Sequence, residues 1–340
     1  MIHQRDAQDA LGSMSKQWQQ LKYTYETKDW GLKTKDYKNI VLAGMGGSAL
    51  AAEIFTSWPK TNLPFEIVRD YDLPEYVGKD TLFIASSYSG NTEETLSALA
   101  QAEEKGCAIA VIAAGGELEK VAAAKNYPFL KLPGGLQPRM AVFYNFAALM
   151  HLFISCGLTS QDKLAELHKA ADWLGRQAQD LEADTPASKN KAKQIAQELM
   201  GNSVVIYSGP KLFPAAYKWK ININENAKNI AWCNQYPEFN HNEFIGWTSH
   251  PVDKPYKIIE LKSDLEHARI QKRLSVSGKL LSGKRPHPET IDVVGDNELE
   301  QLLWSIQLGD FVSVYLALLN GLNPTPVDLI EKLKSELKNQ

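Results

Sequence analysis

The run FIASSYSGNTEETL, residues 83–96, holds more reactive side chains than a connecting loop needs. An apolar strand pattern runs into Ser87, Ser89, Gly90, Asn91 and Thr92, and a helical pattern opens immediately afterwards. The first N–H groups of a helix lack intrahelical partners and share the positive end of the macrodipole, so hydroxyls gathered there suit an anion such as a phosphate. The same residues also fit a plain helix cap, with Asn91 capping and Glu94 reaching back. A cap needs one such side chain, whereas Ser87, Ser89 and Thr92 offer three hydroxyls, so a phosphate site is the reading carried forward.

A second loop, Gly44-Met45-Gly46-Gly47-Ser48-Ala49, follows an earlier strand pattern, and its glycines permit tight turns and close backbone approach to a ligand. It also satisfies a G-x-G-x-x-A dinucleotide pattern, with Asp70 placed as a ribose-binding acid, which leaves an NAD-dependent dehydrogenase as an alternative. Two such loops at strand ends suit one sugar phosphate better than a dinucleotide. Arg139 falls in the first turn of an apolar helical pattern over 137–155, where the dipole opposes a cation and an anionic partner is called for, either a substrate oxygen or a carboxylate. Farther on, Glu225 sits in the run NENAK and His241 in PEFNHN. A lone Glu is usually a solvated helix residue, but a carboxylate and an imidazole brought together could move protons near neutrality. His241 with Glu238 or Glu243 matches no recognised zinc spacing, so no metal is assigned.

The elements that must position these residues are set by a chain of 340 residues, 44% hydrophobic and 23% charged, which fits a soluble protein of about two domains. Its 37 basic and 40 acidic residues form no long run of either sign, which argues against nucleic acid and membrane surfaces and for small-molecule partners. Cys107, Cys156 and Cys233 are dispersed and odd in number, so neither a disulfide framework nor a paired-cysteine zinc site is expected, and a reducing, cytoplasmic setting follows. The N-terminal residues lack the apolar core of a signal peptide, and no uninterrupted apolar run approaches the roughly 18 residues of a spanning helix.

Apolar spacing predicts a helix over 5–28, then strands at 39–44, 65–69, 81–86, 108–113 and 128–132 alternating with helices near 49–57, 92–105 and 117–125. That alternation predicts a parallel sheet covered on both faces. Helices at 137–155, 161–183 and 187–199 precede a second set of strands at 203–208, 228–233, 256–261 and 290–294, with a helix over 213–224. The expectation is an α/β protein of two similar halves, 1–183 and 184–340, joined through 184–190. Residues 278–289 read as an exposed loop, and helices at 297–320 and 326–338 flank the break Asn323-Pro324-Thr325-Pro326.

Taken together, GMGGSA at 44–49, SYSGNTEETL at 87–96, QPRMA at 137–141, NENAK at 224–228, PEFNHN at 237–242 and NPTPVDLIEKLK at 323–334 resemble the bifunctional phosphoglucose/phosphomannose isomerases. The resemblance implies two sugar-isomerase (SIS) domains, each a mainly parallel sheet flanked by helices, with a C-terminal helix packing near the active site. It implies interconversion of glucose 6-phosphate, and of mannose 6-phosphate, with fructose 6-phosphate, without cofactor or metal. It implies that Ser48, Ser87, Ser89 and Thr92 hold the phosphate, with Gly46 and Gly47 shaping the pocket. Glu225 would shuttle the C1–C2 proton, Arg139 would steady the enediolate, and His241 with a C-terminal lysine would open the sugar ring. Lys334 is preferred over Lys332 because it ends the Ile-x-x-Leu-Lys pattern, and the two face different directions on a helix. A homodimer is implied, His241 being supplied across the subunit boundary. A non-catalytic sugar-phosphate sensor is the alternative, although it has no use for Glu225, Arg139 and His241 together.

Overall fold

The computed structural model describes residues 2–27, 30–32, 36–249 and 254–338. The chain forms two compact units, Lys16–Gly175 and Met1–Ser15 with Arg176–Gln340. It opens with α1 (Ile2–Arg5) and α2 (Ala10–Lys16), then a 3₁₀ segment, Gln17–Lys22. The continuous helix expected over 5–28 does not form. α2 gives way at Gln17, residues 23–27 carry no regular structure, and residue 28 lies outside the described residues. The apolar spacing is met all the same, since Leu11, Met14 and Leu21 are buried. The departure centres on Gln20, whose buried amide donates to Met140 O at 2.9 Å and accepts from Tyr144 N at 3.2 Å.

The unit Lys16–Gly175 is built on β1 (Asn39–Ala43), α3 (Gly46–Ser57), β2 (Phe65–Val68), β3 (Thr81–Ser87), α4 (Glu93–Glu104), β4 (Ala108–Ala113), α5 (Gly116–Lys125) and β5 (Phe129–Lys131). α6 (Val142–Ser155) and most of α7 (Gln161–Ala178) complete it. The strands are all parallel in the order β2-β1-β3-β4-β5. β3 is buried at every position, as a strand covered on both faces must be, which is why its sequence reads as a continuous apolar run rather than an alternation. Its last residue, Ser87, pairs with Ala113, so the hydroxyl loop begins where the ladder stops.

The other unit follows with α8 (Lys191–Leu199), β6 (Ser203–Ser208), α9 (Phe213–Ala227), β7 (Ala231–Gln235), α10 (Glu243–Gly246), β8 (Tyr256–Lys262), α11 (Ala268–Leu280), β9 (Glu289–Asp292), α12 (Glu298–Leu319) and α13 (Asp328–Lys338). Its sheet is also parallel, in the order β7-β6-β8-β9. The strand order of the first sheet thus recurs with one strand fewer, although no residue-level repeat connects them. α12 is long and apolar enough to cross a membrane, but 94% of that stretch is buried inside the protein. It carries Asp310, fully buried and paired with Lys218 of α9, while Asn226 of α9 donates to Ser313 Oγ at 2.8 Å.

The segment 278–289 is exposed along much of its length, as expected, and loop-like from 281 to 288, but two of its residues turn inward. α11 runs on to Leu280, Leu281 is buried, and Arg285 is only 6% exposed, donating to Glu260 Oε1 at 2.6 Å. Glu260 lies on buried β8, and a carboxylate removed from water demands a paired cation, so a charged, Gly- and Pro-bearing stretch turns inward here. α11 itself has a weak sequence signature, burying only Ile270, Leu274 and Ser277 along one face.

Candidate active site

The loop after β3 brings its three hydroxyls together. Ser87 Oγ lies 2.6 Å from Thr92 Oγ1 and 3.4 Å from Ser89 Oγ, and accepts from Gly90 N at 3.1 Å. Thr92 stands at the N-cap of α4 yet makes no side-chain cap bond, its hydroxyl being turned to Ser87 instead. Asn91 does not cap α4 either. Its Oδ1 accepts from Glu117 N at 3.0 Å, so it serves the first turn of α5, and the cap reading is corrected. Gly90 adopts φ +70, and a Cβ there would fall 1.7 Å from Gly115 O, so only glycine lets the two neighbouring loops meet. Ser87 is buried, Thr92 half-buried and Ser89 exposed, which grades the cluster from the strand end to solvent at the start of a helix.

The glycine loop lies beside it through Ser48. Gly46 opens α3 at φ +50 with no atom among the described residues beyond its own helix and chain neighbours within 4 Å of its missing Cβ, while a Cβ on Gly47 would lie 2.5 Å from Pro138 O. Gly47 therefore admits the segment that carries Arg139. Ser48 is buried, and its Oγ accepts from Tyr88 N at 3.1 Å and Asn145 Nδ2 at 3.4 Å, leaving its own O–H to donate. Arg139 is 2% exposed and sits in a 3₁₀ turn, Pro138–Met140, ahead of α6 rather than in its first turn. The turn is closed by Met140 N to Gln137 O at 2.8 Å and Ala141 N to Pro138 O at 3.2 Å. Pro138 opens that turn at a position where its missing N–H costs nothing.

In the other unit, Glu225 is half-buried in the last turn of α9, with Asn222, Ile223, Asn226 and Ala227 buried around it. Asn224 Nδ2 donates to Lys220 O at 2.7 Å and Ala231 O at 3.2 Å, joining the helix end to β7. Lys228 takes the left-handed C-cap position, φ +50, and its Nζ donates to Asn323 O at 2.7 Å and Pro324 O at 3.2 Å. NENAK is thereby tied to the break that precedes α13. His241 is exposed at the end of a 3₁₀ turn, Glu238–His241. That turn is anchored on either side: Tyr236 OH donates to Glu260 Oε1 at 3.1 Å, Phe239 is fully buried, and Asn240 Nδ2 donates to Ser277 Oγ at 2.8 Å. Glu243 accepts from Tyr207 OH and Asn234 Nδ2, both at 2.7 Å, and Glu238 accepts from Asn242 Nδ2 at 2.5 Å, so both acids near His241 are engaged in holding the loop. Lys334 is exposed on α13 and donates to Glu331 Oε1 at 2.8 Å, and Lys332 is exposed as well. On the same helix Leu329, Ile330, Leu333 and Leu337 are exposed apolar residues, Leu329 at 81%.

Tyr88 and Asn145 escaped the sequence reading, and Lys228 was noted there only as a base beside Glu225 in NENAK. Their roles are hydrogen bonds to residues distant in the chain, for which spacing carries no signal. Only the position of Tyr88 between two loop serines hinted at one.

Residues 34–125 match the SIS domain family, and residues 188–337 match the bacterial phospho-glucose isomerase C-terminal SIS domain. A bifunctional phosphoglucose/phosphomannose isomerase from Caldicellulosiruptor bescii is 37% identical, over 90% of this chain and 91% of that protein. One from Aquifex aeolicus is 33% identical over 92% and 96%. The solved structure of a glucose-6-phosphate isomerase like protein from Thermus thermophilus shares the fold, with a TM-score of 0.66 at 17% identity, covering 98% of this chain and 96% of that one. With relatives this similar along nearly their full length, the chain belongs to the bifunctional phosphoglucose/phosphomannose isomerase family.

Proposed function

We propose that this protein is an aldose–ketose isomerase interconverting glucose 6-phosphate, and also mannose 6-phosphate, with fructose 6-phosphate. The observation that carries the reading in this chain is the convergence of Ser87, Ser89 and Thr92 at the start of α4, in a chain whose full-length relatives are isomerases of this kind. In this reading the hydroxyls, with Ser48 and the Gly46-Gly47 backbone, bind the phosphate and so fix the sugar's far end. Orientation of that sort supplies on the order of 7 kcal/mol or more in favourable cases. Glu225 takes the proton from C2 of the aldose and returns it to C1, and the hydroxyl proton moves in the same sense, from O2 to O1, so no oxidant or reductant is consumed. The guanidinium of Arg139 faces the negative charge of the enediolate, where a fixed cation lowers the barrier. His241 and Lys334 exchange protons with the ring oxygen during opening.

The functional assembly in this reading is a homodimer with His241 serving the partner's site. The exposure of His241 on a firmly anchored turn and the uncovered apolar residues of α13 support it. A coupled assay of glucose 6-phosphate formation from fructose 6-phosphate, run on Glu225→Gln, tests the assignment. Turnover is expected to fall by about 10²–10⁴ with sugar-phosphate affinity retained, because the carboxylate acts on the proton and not on the phosphate. Undiminished turnover would remove Glu225 as the base, and absence of isomerase activity in the unsubstituted protein would favour a sugar-phosphate sensor.

A further inference from the structure

We propose that Tyr88 is a positioning residue that couples the phosphate loop to Arg139, and this rests on the isomerase reading above. Its backbone N–H donates to Ser48 Oγ at 3.1 Å, which fastens the loop after β3 to the first turn of α3. Its side chain runs the other way. The phenol O–H donates to Pro133 O at 2.8 Å and accepts from Leu136 N at 3.1 Å. Those two groups bracket Gly134-Gly135, with Gly135 at φ +91 and, among the described residues, no atom beyond the chain neighbours within 4 Å of either missing Cβ. A glycine pair in an exposed connection has wide conformational freedom, and the phenol closes it with two hydrogen bonds.

Three residues beyond Leu136 comes Arg139. Gly47 presses against Pro138 O from the start of α3, so the arginine turn is held at 133, 136 and 138. The circuit from Ser48 through Tyr88, the Gly134-Gly135 turn and Arg139 to Gly47 closes on adjacent residues of one helix. A phosphate held by Ser87 and Thr92 and a guanidinium aimed at the reacting carbons are thereby kept at a fixed separation, which a bound sugar phosphate of fixed length requires. Tyr88 is only 7% exposed, and burial raises the pKa of its phenol above the ordinary 10.0, so it remains a donor at neutral pH.

Tyr88→Phe keeps the buried ring and deletes only the hydroxyl. The expected result is a 10- to 100-fold drop in kcat with the inhibition constant of inorganic phosphate changed less than about two-fold. The decisive measurement is the double-mutant cycle with Arg139→Ala: once the arginine is gone, removing the phenol should cost nothing further. A kcat for Tyr88→Phe within two-fold of the parent, or a full additional loss in the Arg139→Ala background, would overturn the coupling. If Arg139→Ala itself leaves kcat unchanged, the isomerase site assignment fails instead, so the two failures are distinguishable. Should Tyr88→Phe fold poorly, Gly135→Ala, which strains the same turn at positive φ without touching the core, is expected to reproduce the kcat loss, and its absence would count against the coupling.

Discussion

At the carboxyl ends of β1 and β3 the chain gathers glycines and hydroxyls, whereas at the matching ends of β6 and β8 it places a carboxylate of its own. Glu266, 6% exposed, follows β8, and its Oε1 accepts from Lys211 N at 2.8 Å in the loop after β6. A Cβ on Gly209 would lie 2.2 Å from that oxygen, so the glycine makes room for the acid, and Lys211 Nζ is paired with Glu298. In open parallel sheets, ligands favour the crevice where the strand order switches direction, and both sheets have one. One crevice gathers side-chain hydroxyls, and the other has committed a backbone donor to an internal carboxylate. Strand order alone therefore does not make a binding site; the side chains at the switch point do.

The largest effect that would sharpen this contrast is loss of the hydroxyls. Hydrogen bonds to a charged phosphate are worth about 1.5–3 kcal/mol each, so Ser87→Ala with Thr92→Val should lower kcat/KM by about 100-fold or more and weaken inhibition by inorganic phosphate in parallel. Glu266→Gln, at the corresponding place in the other unit, should leave kcat/KM within about two-fold, since the amide oxygen still accepts from Lys211 N. Equal sensitivity at both positions would break the comparison.

A smaller effect is expected on stability. Glu266→Ala strands the Lys211 N–H beside a small void, costing about 1–3 kcal/mol, whereas Glu266→Gln should cost less. Shifts in the urea-unfolding midpoint that fail to rank Ala below Gln would show that the carboxylate is not the crevice's internal ligand.

The smallest is a difference in the sign of the pH response. In the unit Lys16–Gly175, His151 is buried and His168 half-buried, and burial lowers both pKa values from 6.5, aided by His168 at His151 and by Lys22 at His168. Below 6.5 the unfolded chain binds protons that these folded imidazoles refuse, so the unsubstituted protein should lose stability relative to His151→Asn as the pH falls from about 7.5 to 5.5. In the other unit, burial raises Glu266 above 4.5 despite Lys211, so the folded state holds a proton that the unfolded chain releases. Relative to Glu266→Gln, stability there should rise as the pH falls toward 4.5. Thermal melts of each pair across this range read both signs, and a common sign would undo the assignment.

In each unit the central strands were legible because they are buried on both faces and so carry an unbroken apolar run: β4 at Ala108–Ala113 and β6 at Ser203–Ser208 fall where the residues alone place them. The hydroxyl loop was legible for a related reason, since a strand end, a glycine and a helix start within ten residues are all local. Apolar spacing sets Arg139 one element too late, because the 3₁₀ turn ahead of α6 depends on Gly47 admitting Pro138 from another part of the chain. Within the 278–289 segment, the burial of Arg285 departs from expectation for the same kind of reason. Arg285 turns inward only because Glu260, on a different element, is buried and needs a cation.

What the residues by themselves determined was the alternation of parallel strands and helices and the gathering of hydroxyls at 87–92 beside a helix start. These follow from periodicity and short-range spacing, which are properties of neighbours in sequence. Tertiary structure alone decided that Asn91 serves α5, that Lys228 braces the Asn323-Pro324 break, and that Glu266 fills the second crevice. Each is a hydrogen bond between residues far apart in the chain, and such a bond exists only once packing has brought donor and acceptor within about 3 Å of one another.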